Sequence, residues 1–127
     1  MSEASLIARD VCKSFRRETG EAVQALVDVS LTAVHGHLTA LVGPDGAGKT
    51  TLLRLAAGLM TGDSGKLTVL DVDVERDPQQ VQNRIGYMPQ RFGLYEDLTV
   101  RENLDLYADL HGVTAAERRE RYPRLME

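Results

Sequence analysis

The spacing of apolar positions changes several times along the chain, and each change marks an element. Leu6-Ile7-Ala8 is a short apolar run that fits a first strand. In Ala22 to Val34, Val27, Val29 and Leu31 alternate in period two, which predicts a second strand. Gly20 and Glu21 between them suit a hairpin turn. Leu38-Thr39-Ala40-Leu41-Val42 is a compact apolar run ending at Gly43, the pattern of a strand buried on both faces of a parallel sheet. Lys49 to Ala57 carries Leu52, Leu53, Leu55 and Ala56 on a broad apolar helical face, and Gly58 can end that helix. After the turn-rich Thr61 to Gly65, Leu67 to Leu70 predicts a strand. Pro78 can open a short helix over Asp77 to Asn83. Ile85-Gly86-Tyr87-Met88 predicts a further strand, stopped by Pro89.

Two helix starts follow. Thr99-Val100-Arg101-Glu102 has capping-box spacing, with Val100, Leu104, Tyr107 and Leu110 at helical intervals and Gly112 at the end. Thr114-Ala115-Ala116-Glu117 is a second capping box, and Pro123 is expected to interrupt the helix it opens. Strand, glycine-rich turn, helix and strand in succession indicate an α/β domain. The first two strands read as an antiparallel β addition N-terminal to it.

Composition narrows the class. With 127 residues the chain is one domain at most. Its 43% apolar and 27% charged residues exclude a disordered or low-complexity segment. No apolar stretch reaches the roughly 18 residues of a membrane span, and Met1 to Ser5 lacks the basic start of a secretory signal. A net charge of −4 argues against a nucleic-acid partner held by phosphate contacts. Cys12 is the only cysteine, which excludes an internal disulfide and fits a reducing cytosol. His35 and His37 have no further Cys or His partners to make a metal site.

The strongest chemical signal is Gly43-Pro44-Asp45-Gly46-Ala47-Gly48-Lys49-Thr50, a G-x-x-x-x-G-K-[ST] phosphate-binding loop between an apolar run and an apolar helix. Glycines let successive amides turn inward, and the helix N-terminus behind them favours negative charge. Lys49 can reach the β and γ phosphates, and the Thr50 hydroxyl is placed to coordinate Mg²⁺. The motif specifies a nucleoside triphosphate. No N-K-x-D guanine-reading motif is present.

Beyond the loop, nearly the whole chain resembles the ATP-binding subunit of ABC transporters. The residues that carry the resemblance are Thr51 to Leu59 after the loop, Ser64-Gly65 before a strand, and Ile85-Gly86-Tyr87-Met88-Pro89-Gln90, similar to the strand leading into the family's Q-loop. Leu94 to Leu104 is most similar to ABC-2-type exporters of the multidrug and antibiotic-efflux group. The resemblance implies a P-loop NTPase-type core, here incomplete, with ATP and Mg²⁺ as ligands. It implies that Gly43, Pro44, Asp45, Gly46, Ala47, Gly48, Lys49, Thr50 and Thr51 bind phosphate, with Lys49 and Gln90 in catalysis. Thr50 and Gln90 would share the metal, and Phe15 would stack on adenine. The alternative for Phe15 is an ordinary core position. Asp45 stands where Asn is usual and adds negative charge near the phosphates.

The family's signature loop, its Walker B Asp with the following Glu, and its switch His are absent from these residues. Leu67 to Asp71 imitates a Walker B strand, but Val72 follows and the run comes too early, so Asp71 and Asp73 read as turn or surface residues. The chain is therefore identified as the N-terminal part of a nucleotide-binding domain, unable to hydrolyse ATP alone. The implied whole is a motor subunit, cytoplasmic and peripheral on the inner face of the membrane. It would pair with a second ATP-binding domain and meet a membrane-spanning subunit through residues 90–99, with Phe92, Leu94 and Tyr95 as anchors. A soluble ABC-type ATPase without a membrane partner, or a nucleotide-binding module without turnover, are the alternatives. Arg118, Arg119, Arg121 and Arg124 alternate with Glu117 and Glu120 as a solvated helix face.

Overall fold

The computed structural model describes residues 3–91 and 93–127. The chain divides into two compact units, Met1–Tyr87 and Met88–Glu127.

In the first unit, β1 (Ala4–Arg16) and β2 (Ala22–Val34) form a long antiparallel hairpin. Gly20, at φ 86°, makes the turn, and the Arg17 amide donates to the Glu21 carbonyl at 2.9 Å. β1 runs well past the Leu6–Ala8 core that its apolar run predicts, because β2 pairs with it out to Arg16, while β3 (Ser64–Val69) lies antiparallel along its other edge from Leu6 to Cys12. β4 (Val72–Asp73) closes a sheet of order β2-β1-β3-β4 among the described residues. Leu70 and Asp71, both at positive φ, form the β3–β4 turn, so the Walker B imitation ends in a hairpin tip. The Asp73 carboxylate accepts from the Glu75 amide at 3.1 Å in the next turn.

α1 (Lys49–Ala56) and the short α2 (Pro78–Gln82) follow. Ala8, Val11, Leu26, Leu67 and Val69 of the sheet pack with Leu52, Leu55 and Ala56 of α1, Val74, and the fully buried Val81 of α2. The buried stripe of α1 is narrower than the sequence suggests, since Leu53 is exposed. Gly58, at φ 73°, ends the helix, with its amide on the Leu55 carbonyl at 3.0 Å.

Two expected strands are not formed. Residues 38–42 and 85–88 are irregular, and Leu38 and Val42 lie almost fully in solvent at 101% and 90% exposure. Both runs have the apolar content of interior strands. No strand among the described residues lies beside either, so neither has a ladder for its backbone groups.

The second unit holds α3 (Val100–Leu110) and α4 (Ala115–Leu125), each opened by the capping box its sequence predicts. Gly112, at φ 67°, reverses the chain between them. Pro123 does not interrupt α4, contrary to expectation. It sits in the last turn, where it forfeits a single intrahelical bond, and buried Tyr122 anchors that turn through its hydroxyl to Asp105 at 2.8 Å. Arg118 leaves the solvated face assigned to it. It bonds the Val113 carbonyl at 3.0 Å and Asp109 at 2.6 Å, and lies 3.6 Å from Asp105. The apolar stripe of α3 is not core: Val100 and Leu110 are exposed, while Asn103 and Ala108 are buried.

Candidate nucleotide site

The glycine loop wraps the N-terminus of α1. Gly46 and Gly48 take φ of 79° and 93°, a region that disfavours any side chain. Gly48 is also where the loop meets the sheet: a Cβ there would strike the Ala25 carbonyl and approach Leu26 Cδ2 at 2.9 Å. This contact on β2 fixes where α1 begins.

The helix that starts there is built for an anion. Gly48 supplies no side-chain cap, and no acidic residue occupies the first turn. The first amides of α1 therefore keep their hydrogen-bonding capacity at the positive end of the helix dipole. Lys49 Nζ turns back into the loop and donates to the carbonyls of Gly43 and Pro44, both at 2.6 Å. One ammonium thus braces the loop and places a full positive charge in its concavity. Gly43, Pro44, Asp45, Gly46 and Ala47 are exposed, Lys49 and Thr51 are half-buried, and the Thr50 hydroxyl lies on an exposed position of the first turn. Asp45 lies at the loop's exposed turn.

Phe15 belongs to the same unit. It is 41% exposed at the end of β1. It pairs with Val23 on β2, two residues before the Ala25 carbonyl that Gly48 touches. Lys13 Nζ lies 5.2 Å from its ring centroid. Gln90 belongs to the second unit, on an exposed bend.

The segment after Gln90 is held by a residue that the pattern of apolar positions does not reveal. Asn103, buried on α3, accepts from the Tyr95 amide at 2.9 Å. Its Nδ2 donates to the carbonyls of Tyr95 and Thr99, both at 3.0 Å, and lies 3.3 Å from that of Leu98. Tyr107 donates its hydroxyl to the Gly93 carbonyl at 2.8 Å. A groove of about 360 Å³ opens here, lined mainly by Leu94, Tyr95, Leu98, Val100, Leu104 and Tyr107. Phe92 lies outside the described residues.

A glycine loop of phosphate-binding pattern on an uncapped helix N-terminus, with an α/β core behind it, is the arrangement of a nucleotide-binding domain. Residues 26–127 match the family described as ABC transporter, and the chain belongs to that family as part of its ATP-binding domain. It is 50% identical over 112 residues to the probable multidrug ABC transporter ATP-binding protein YbhF of Escherichia coli, covering 88% of this chain and 19% of that protein. It is 40% identical over 104 residues to the sulfate/thiosulfate import ATP-binding protein CysA of Synechococcus elongatus, covering 82% of this chain and 30% of that one. A solved ATP-binding subunit of an ABC transporter superposes with a TM-score of 0.80 at 30% identity, over 95% of this chain and 48% of that structure. The chain thus spans less than half the length of these three proteins.

Proposed function

We propose that these residues bind MgATP for the motor subunit of an ABC exporter of the multidrug or antibiotic-efflux type. The carrying observation is the uncapped α1 N-terminus with Lys49 folded into the glycine loop in front of it. The name of YbhF supports the efflux assignment, and its identity exceeds that of the importer CysA. Work of this kind places the protein in the cytoplasm, peripheral on the inner face of the membrane. No helix among the described residues is long and apolar enough to cross a bilayer.

The backbone amides of Gly46 to Thr51 receive phosphate oxygens, and Lys49 exchanges one or both loop carbonyls for them. Phe15 offers a ring face to adenine. Mg²⁺, held by the Thr50 hydroxyl, would supply charge neutralisation for the bound triphosphate. The Thr50 hydroxyl oxygen and, in the second unit, the Gln90 amide oxygen are each neutral donors of the kind a hard cation takes. Gln90 reports on the γ-phosphate to the segment behind it. There, Asn103 holds residues 95–99 against α3, and the apolar groove offers a docking face to a cytoplasmic helix of the membrane subunit. A second ATP-binding domain completes the site for turnover. These residues contain no Asp-Glu pair after an apolar strand, so they bind ATP without hydrolysing it.

Equilibrium titration of the gene product with a labelled ATP analogue tests the reading. Binding that requires Mg²⁺ and is lost in Lys49→Ala supports it, and equal affinity in wild type and variant refutes it.

A further inference from the structure

Asp63 lies in the turn before β3, far in sequence from the strand end it grips. Its Oδ2 accepts from the Ser14 amide and the Ser14 hydroxyl, both at 2.7 Å. Its Oδ1 lies 3.8 Å from Lys13 Nζ. Its own amide donates to the Cys12 carbonyl at 2.9 Å. Three successive residues of β1 are therefore tied to one residue, and Phe15 is the next in line.

The grip falls where the ladder stops. Cys12↔Ser64 is the last β1–β3 pair, so beyond it β3 gives β1 no further support. On the other side the β1–β2 register shifts between Val11 and Lys13 and again between Lys13 and Ser14. Irregular pairing leaves the strand end latitude that a carboxylate bonded to amide, hydroxyl and ammonium removes. The Ser14 hydroxyl, first among the causes, holds the Asp63 carboxyl below the usual carboxylate range, so the clamp is charged at neutral pH. Lys13, drawn to Asp63, is also the cation over the Phe15 ring.

We propose that Asp63 is a positioning residue for nucleobase recognition: by clamping Ser14 and Lys13 it holds the Phe15 ring where an adenine stacks on it. The proposal rests on the reading of Phe15 as the stacking surface given above. An aromatic already in place loses less freedom when the base arrives, so removing the clamp weakens the base contact and leaves the phosphate contact alone.

The test compares MgATP with magnesium tripolyphosphate, which has the phosphates and no base, on the gene product. Phe15→Ala reports the full base contribution and is expected to weaken MgATP about fivefold or more. Asp63→Ala is expected to lose a substantial part of the same factor, with tripolyphosphate affinity unchanged within about twofold. Asp63→Asn keeps an acceptor for Ser14 and loses the charge facing Lys13, so it should fall between wild type and Asp63→Ala. Thermal unfolding of each variant checks that it is folded. If Phe15→Ala weakens MgATP and Asp63→Ala does not, the clamp is overturned and the stacking reading stands. If Asp63→Ala weakens both ligands alike, Asp63 acts through the fold and the proposal fails. If Phe15→Ala shifts neither ligand, the stacking reading fails and takes the clamp with it.

Discussion

Gly46 and Gly48 share a strained backbone and differ in surroundings, so substituting each separates strain from collision. Their φ angles are 79° and 93°. An alanine in the left-handed region costs about 1–2 kcal/mol at either position. A Cβ on Gly46 would meet nothing within 4 Å. On Gly48 it would overlap the Ala25 carbonyl, with Leu26 Cδ2 at 2.9 Å. That carbonyl cannot give way easily, because Leu26 is paired with Lys13 and is itself 5% exposed in the core. The collision adds an overpacking cost on the order of 1–3 kcal/mol. Gly46→Ala should therefore lose about 1–2 kcal/mol and Gly48→Ala about 2–5 kcal/mol. Denaturant unfolding of the gene product measures both. The same variants titrated with MgATP should diverge further. In Gly48→Ala the first turn of α1 must move off β2 and carry the Lys49 and Thr50 amides with it. Affinity should fall about a hundredfold or more, against about tenfold or less for Gly46→Ala. Equal destabilisation by the two alanines would refute the packing of the loop on Ala25, and near-wild-type affinity in Gly48→Ala would refute the placement of phosphate there.

Lys49→Ala should cost about 1.5–3 kcal/mol of ATP binding, read by equilibrium titration, since a charged donor to phosphate is removed. Asn103→Leu should leave the Tyr95 amide without its acceptor and speed its hydrogen exchange, while transport-coupled activity falls and ATP binding stays near normal; unchanged exchange at Tyr95 would show that the segment is held some other way. Bonds from the Thr99 amide and hydroxyl hold the Glu102 carboxyl below its usual range. A lowered folded-state value stabilises above the unfolded value and fades as pH falls through the folded one. The stability lost in Glu102→Gln should therefore be largest near neutral pH and shrink towards strongly acidic pH, as melting curves at stepped pH will show. A purified chain of these residues should show no ATP turnover above that of Lys49→Ala, and a clear excess would point to Asp71, Asp73 or Glu75 as an unrecognised catalytic carboxylate.

Local chemistry made much of this structure legible. Both capping boxes form, with Glu102 and Glu117 bonded back to Thr99 and Thr114, because a cap needs only residues within one turn. The β1–β2 hairpin, the end of α1 at Gly58 and the short helix after Asp77 follow from turn and cap residues in the same way. Gly43 to Thr50 was recognisable because phosphate binding needs backbone freedom and a cation at fixed offsets along one segment. What sequence could not supply depends on neighbours. Residues 38–42 and 85–88 carry the composition of interior strands, but a strand is a relation between two segments, and composition names only one. The α3 stripe of Val100, Leu104, Tyr107 and Leu110 has helical spacing, which says that one face is apolar without saying what covers it.

The long-range polar contacts were hidden for a related reason. Asp63 is polar in a turn and Asn103 is polar in a helix, two places where such residues are common and need no special role. Their roles arise because Asp63 meets Ser14 across 49 residues of chain, and because Asn103 turns inward to bond residues 95–99. Asn103 left a trace: it falls between Thr99 and Tyr107 on a helix whose other polar residues are charged, and a buried amide there requires backbone partners nearby. Asp63 left none, since its partners lie in a strand whose end the sequence placed eight residues too early, at Ala8 rather than Arg16. The motif thus identifies the ligand's phosphates. The groups proposed to orient the base in the first unit and to hold residues 95–99 in the second are set by tertiary contacts, so substitutions at Asp63 and at Asn103 each test a contact that changes within the glycine loop leave untouched.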